Sequence, residues 1–159
     1  MDGRAHLRLS RANTAEEPPL VFVHLGGHLP NYATASLQFA ATNYLGRVIL
    51  LSDSSSDASN SYFETFNLRP WYDASMFEKF RAKSSLDADF RDGFWHHAVE
   101  RFFVLEQFMA RHGINRIFHA ELDVMIFDLD GVSAACDTHG TGIFSVMDSP
   151  SRSLASLLY

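Results

Sequence analysis

Leu20–Asp53, LVFVHLGGHLPNYATASLQFAATNYLGRVILLSD, is the stretch whose reading decides the fold. Leu20 to Leu25 is a short β-branched and aromatic run closed by Gly26-Gly27, the pattern of a buried strand followed by a tight loop. Pro30 suits the first turn of a helix, and Ala33, Leu37, Ala40, Ala41 and Tyr44 recur at helical spacing until Gly46 stops it. Val48 to Leu51 is a second buried strand, ending in Ser52-Asp53. Strand, helix and strand in so short a span make a βαβ unit, whose strands are expected to run parallel with a right-handed crossover.

Outward from this unit the signals vary in strength. Ser54 to Ser61, SSSDASNS, is small and polar and reads as a surface loop. Tyr62 to Phe94 mixes aromatics with a Pro70-Trp71 break and yields no assignable element. From Phe94 to His112 the pattern is clear again: Phe94, Ala98, Phe102, Leu105, Phe108 and Met109 form an apolar stripe at helical spacing, read as core, and Gly113 ends it. Ile114 to Phe127 reads as another strand and Gly142 to Met147 as a further one ending at Asp148, while Ser153 to Tyr159 begins an apolar run. Alternation of this kind predicts an α/β three-layer sandwich with a mostly parallel, Rossmann-like sheet. Ligands in such sheets bind beyond the carboxyl ends of the strands, so Gly26-Gly27, Asp53 and Asp123 are expected at one edge.

Composition narrows the function classes. The 159 residues are the size of one domain, and 47% hydrophobic residues suffice for a packed core. Residues 1–19 read as a flexible leader with no apolar segment of a secretory signal, leaving 20–159 as the domain. A net charge of −6 argues against nucleic acid or an anionic membrane surface as partner, and no run approaches the roughly 18 apolar residues of a membrane span. Cys136 is the single cysteine, which excludes an intrachain disulfide and makes the cytoplasm the expected compartment.

Arg116 to Gly131, RIFHAELDVMIFDLDG, carries the chemistry. It sets Glu121 and Asp123 in an apolar run, where carboxylates are costly without a cation or hydrogen-bond donors. At a spacing of two on a strand, His119, Glu121 and Asp123 are expected on one face, the way a strand end presents oxygen ligands to a metal. A histidine suits a hard cation less well than oxygen does, so His119 is assigned to the core or to support of the ligands.

With VFVHLGG, VILLSD and the helix FWHHAVERFFVLEQFM before FHAELDVMIF, the chain resembles the nucleotide-sugar-dependent glycosyltransferases of the GT-A fold. Their signature is a D-x-D motif at the end of a core strand, here read as Glu121-Leu122-Asp123. The resemblance implies a nucleotide-diphosphate sugar as donor, with Mn²⁺ or Mg²⁺ neutralising the diphosphate and a glycan, lipid or protein as acceptor. Asp123 would be the direct ligand, and Glu121 would hold the metal, one of its waters or the ribose. Asp53 would face the nucleoside, Arg101 would contact the diphosphate, and Gly26-Gly27 would form the loop of the nucleotide site. It covers residues 20–159, the nucleotide-binding part, so the GT-A-type sheet is expected to be incomplete at its C-terminus, with the acceptor part absent.

Plainer readings stand beside these. Asp53 could cap a turn, Gly26-Gly27 occurs after the first strand of many α/β folds, Arg101 could be a salt-bridged surface residue, and His96-His97 is expected to be structural. A second motif overlaps the same run: IFDLDGV, residues 126–132, resembles the first motif of the haloacid dehalogenase-like phosphatases, with Asp128 as nucleophile and Asp130 as acid/base. That motif normally opens its domain, and here only 29 residues follow Asp130. A non-catalytic nucleotide-binding module is the remaining alternative.

Overall fold

The computed structural model describes residues 17–54, 61–129, 131–150 and 152–159. Most of the expected leader, the interior of the loop at 55–60, and Asp130 lie outside the described residues. The chain is an α/β protein with a six-stranded mixed sheet in the order β3-β2-β1-β4-β6-β5 and four helices among the described residues. The strands are β1 (Leu20–His24), β2 (Val48–Ser52), β3 (Glu64–Asn67), β4 (Phe118–Ala120), β5 (Ser145–Ser149) and β6 (Arg152–Leu158). The helices are α1 (Asn31–Asn43), α2 (Ser75–Arg81), α3 (Phe94–His112) and α4 (Val132–Asp137).

The βαβ unit forms as its sequence requires. β1 and β2 pair in parallel from Leu20↔Val48 to His24↔Ser52, with α1 between them in the chain. Successive residues of each strand go to different cores, because side chains alternate across a pleated strand. Leu20, Phe22, Val48 and Leu50 join Ala33, Leu37 and Ala40 of α1 in one cluster. Val21, Ile49 and Leu51 join Val104, Leu105 and Phe108 of α3 in the other. Each fully buried Leu, Val or Phe contributes roughly 1.5–3 kcal/mol, so these two clusters dominate the stability of the unit.

The region 62–94, which gave no assignable element, supplies β3, parallel to β2, and the short α2. Phe77 and Phe80 of α2 pack against Phe103 of α3, with Phe77 also edge-on to His96. This is where the scattered aromatics go. α3 ends as expected: Gly113 takes φ +63, a left-handed conformation that glycine adopts without steric cost, and Ile114 N–H closes the cap on the Met109 carbonyl at 2.9 Å.

Three expectations are corrected. The strand read over 114–127 is three residues long; beyond Ala120 the chain turns at Leu122-Asp123 and continues without regular structure to Leu129. Leu122, Ile126 and Leu129 are buried against the α1 cluster, so the apolar letters that suggested a strand belong to an irregular segment sealing that core. The apolar stripe of α3 is core only in its second half, since Phe94 and Phe102 are 42% and 38% exposed while Val104, Leu105 and Phe108 are buried. The strand expected at 142–147 runs instead from Ser145 to Ser149, as one arm of an antiparallel hairpin with β6, and β6 pairs antiparallel with β4. β6 therefore runs against the other five strands. No helix among the described residues is long and apolar enough to cross a membrane.

Candidate functional site

The strand order fixes where a site can form. From β1 the chain builds outward through β2 to β3, then returns to place β4 on the other side of β1. The loops after β1 and β4 leave neighbouring strands at this reversal, and open α/β sheets bind ligands in the crevice outside the carboxyl ends of such strands. Leu25-Gly26-Gly27 leaves β1 at this crevice, and Glu121-Leu122-Asp123 leaves β4.

On the β1 side, Gly26 N–H donates to Asp53 Oδ2 at 3.1 Å, which ties the first loop to the end of β2. The other carboxylate oxygen, Asp53 Oδ1, is buried with no hydrogen-bond partner. Arg69, beyond β3, donates from Nε to the Asp53 carbonyl at 2.8 Å, adding a guanidinium to the same edge. Gly26 has φ +81, and a Cβ at this position would lie 2.7 Å from His97 Nε2. Only glycine allows both the backbone conformation and this approach of the imidazole.

α3 covers the crevice with its first two turns. His97, Arg101, Val104 and Phe108 share one stripe of the helix, spaced by four, three and four residues. The last two are apolar and buried under the sheet, whereas the first two reach beyond the strand ends. Arg101 Nη1 donates to Glu121 Oε1; the arginine side chain is 13% exposed and the glutamate 34%. The Arg101 guanidinium also lies over the Phe102 ring, 5.1 Å from its centroid, and its Nε is buried without a partner. Phe102 in turn meets His119 edge-on at 6.3 Å.

His119 is buried between β4 and α3 and makes one hydrogen bond, from Nδ1 to the Val21 carbonyl at 2.9 Å. A carbonyl can only accept, so Nδ1 carries the proton and Nε2 is a buried lone pair with no partner. Burial pushes its pKa down to about 4, with the Arg101 charge acting in the same direction and the bond to Val21 opposing it. The ring is neutral at physiological pH. Glu100, largely buried on the same helix turn, lies toward His97 Nδ1, at 3.6 Å, and toward the Tyr72 hydroxyl. Burial raises the Glu100 pKa, and these two neighbours oppose that rise.

Eight buried side-chain polar atoms among the described residues lack a hydrogen bond: Asp53 Oδ1, His97 Nδ1 and Arg101 Nε lie at the carboxyl edge or on the α3 turns above it, His119 Nε2 lies behind it on β4, and the others belong to His24, Thr65, Tyr72 and His96. Folded chains rarely leave such groups unsatisfied, so each has capacity for a further hydrogen bond. By contrast, a depression of about 270 Å³ lined by Tyr44, Gly46, Arg47 and Glu64 lies at the amino end of β2. There Arg47 and Glu64 satisfy each other through two bonds of 2.8 Å, which leaves no comparable set of open groups.

Of the residues singled out from the sequence, the structure joins Gly26 to Asp53 and Arg101 to Glu121. Gly27 has φ +113 and faces open space. Glu121 and Asp123 do not share a strand face with His119: both lie past the end of β4, with His119 buried behind them. Asp123 is exposed at the turn and has no hydrogen-bond or ion-pair partner among the described residues. No group of three or more His, Cys, Asp or Glu side chains among the described residues is placed to hold a metal ion. Among the described residues Asp123 is the open carboxylate at this turn, and a hard cation that keeps several waters needs only one or two such protein anchors. Asp128 is exposed in the irregular segment, so the strand that a nucleophilic aspartate of the phosphatase type would follow is missing before it.

His97 and Arg69 were not read from the sequence as part of this edge, whereas His119, assigned to the core or to support of the ligands, is buried. For His97 and Arg101 a signal existed: two polar residues, four apart, continue the stripe of Val104 and Phe108. No protein-family model matches the chain, and the curated proteins and solved structures likewise give no match. Function is therefore argued from this geometry.

Proposed function

We propose that the crevice between β1 and β4 binds a nucleotide-diphosphate sugar and that the protein is a metal-dependent glycosyltransferase of the GT-A type. On this reading α1 and α3 are the outer layers of a three-layer, Rossmann-like sandwich. The observation that carries it is the pair of ties flanking the strand-order reversal, Gly26 to Asp53 and Arg101 to Glu121, with the open carboxylate of Asp123 two residues beyond. The bare Asp53 Oδ1 would accept a hydrogen bond from the nucleoside, whose hydroxyl and base N–H groups are donors. Asp123 would anchor Mn²⁺ or Mg²⁺, and Glu121, oriented by Arg101, would hold a water of the cation or the ribose. The cation would supply positive charge for the diphosphate, which on so acidic a chain needs a metal or local cations. The acceptor would be a glycan, lipid or protein. The single, unpaired Cys136 supports a cytoplasmic setting.

Calorimetry with uridine and guanosine diphosphates tests the proposal. One of them binds the wild type in the presence of Mn²⁺, and Asp123→Ala removes the metal-dependent part of the affinity. Equal metal-dependent affinity in both proteins would sink it.

A further inference from the structure

We infer that His97, positioned by Glu100, is the proton acceptor of the crevice and takes the proton of a hydroxyl group brought to the β1–β4 edge. The inference rests on the nucleotide-sugar reading above and names the residue that performs its proton transfer.

Three independent features converge on this imidazole. First, its Nε2 lies against the Gly26 backbone, at the mouth of the crevice, and its side chain is 38% exposed, so a ligand can reach it. Second, its Nδ1 faces the Glu100 carboxylate at 3.6 Å, with the Tyr72 hydroxyl on the far side of that carboxylate. At 3.6 Å this is an ion-pair contact without a hydrogen bond; a carboxylate that closes on one ring nitrogen holds the proton there and leaves the other as the base, and such contacts are often long before a ligand is bound. Third, the backbone leading into this turn is strained. Arg91 and Asp92 take φ +47 and +55, followed by Gly93 at φ +87, and left-handed conformations of non-glycine residues are held only where surrounding structure requires them.

The neighbouring candidates are already engaged. Asp53 Oδ2 accepts from Gly26 and its Oδ1 is assigned to the nucleoside, Glu121 accepts from Arg101, and the lone pairs of His119 and His24 are buried. Asp123 is the open carboxylate and is reserved for the cation. His28 is exposed in the loop after β1, and of these two accessible imidazoles His97 is the one with a carboxylate behind it among the described residues. In the step it serves, the O–H bond of the nucleophile breaks and its proton passes to Nε2. The oxygen bonds the anomeric carbon of the sugar, and the bond from that carbon to the diphosphate oxygen breaks. The nucleoside diphosphate leaves with the electron pair, and His97 returns its proton to solvent. The nucleophile is an acceptor hydroxyl or, when none is supplied, water.

The test measures Mn²⁺-dependent hydrolysis of uridine diphosphate glucose and guanosine diphosphate mannose, alongside calorimetry of the corresponding diphosphates. His97→Asn and His97→Gln are expected to keep the diphosphate affinity and lower kcat by about 100-fold or more, the usual contribution of a positioned base. Glu100→Gln lowers kcat less and leaves KM unchanged. Added imidazole restores part of the rate to His97→Gly and none to Glu100→Gln. Wild-type turnover in both His97 variants overturns the inference, as does a wild type that binds diphosphate without hydrolysing either sugar. A wild type that binds neither diphosphate is the failure of the nucleotide-sugar reading itself, and this inference falls with it.

Discussion

The two halves of α3 present the same stripe to the same sheet and do opposite things with it. Val104 and Phe108 lie over the strands and are fully buried among Val21, Ile49 and Leu51. One and two turns earlier, Arg101 and His97 extend past the strand ends, Arg101 to Glu121 with its guanidinium over the Phe102 ring and His97 to the Gly26 backbone. The polarity of the stripe changes where the sheet stops. What this teaches is that a helix laid obliquely over a parallel sheet is core for part of its length and wall of the ligand crevice for the rest. A single amphipathic pattern hides that division.

The comparison is sharpest in substitutions of one stripe residue from each half. Phe108→Ala is expected to cost about 3–5 kcal/mol in denaturant unfolding, as large-to-small changes of a buried aromatic do. Arg101→Met leaves Glu121 unpaired but partly hydrated, so its cost is expected to be about 1–2 kcal/mol, while diphosphate affinity falls at least tenfold. If the two substitutions destabilise equally and Arg101→Met keeps its affinity, the helix is core throughout and the division is wrong.

His119, beneath the boundary between the halves, gives a pH dependence whose sign is fixed by its environment. Its folded pKa of about 4 lies below the ordinary histidine value of 6.5, so between these limits the unfolded chain binds more protons. Stability is fully present above pH 6.5 and is lost as pH falls toward 4, by roughly 3 kcal/mol at the acid end. Chemical denaturation at a series of pH values checks this. The slope should disappear in His119→Gln, and an unchanged slope in that variant would assign it to other groups.

Gly26 offers a stability effect of the same size as Arg101. Gly26→Ala forces a Cβ onto His97 Nε2 and a left-handed φ onto alanine, for an expected loss of about 1–2 kcal/mol and a displaced imidazole. Unfolding measurements read the first, and the His97 ring resonances read the second.

Much of this arrangement was legible in the letters. Leu20–Asp53 declared a parallel βαβ unit because its strands are buried on both faces and its helix keeps a clear apolar spacing. The placement of Gly26 beside Asp53 followed from the rule for strand ends. β4 misled because Leu122, Ile126 and Leu129 are apolar to seal a core, a role that does not require a strand. The hairpin of β5 and β6 was hidden because antiparallel insertion of β6 beside β4 depends on pairing across the sheet, which no local spacing reports. His97 was assigned a structural role because adjacent histidines on a helix diverge, and sequence alone does not tell which of the two faces the strand ends. His96 proves to be the one buried against Phe77.

The central claim is that the carboxyl edge, at the β1–β4 reversal, is the ligand site. Backbone amide NMR of the protein titrated with uridine or guanosine diphosphate in the presence of Mg²⁺ tests it most directly. The account expects the shifts to concentrate at Leu25–Gly27, Asp53, His97–Arg101 and Glu121–Asp123, with the Arg47–Glu64 surface at the amino edge unmoved. Shifts confined to that amino edge, or no shifts at saturating diphosphate, would contradict it.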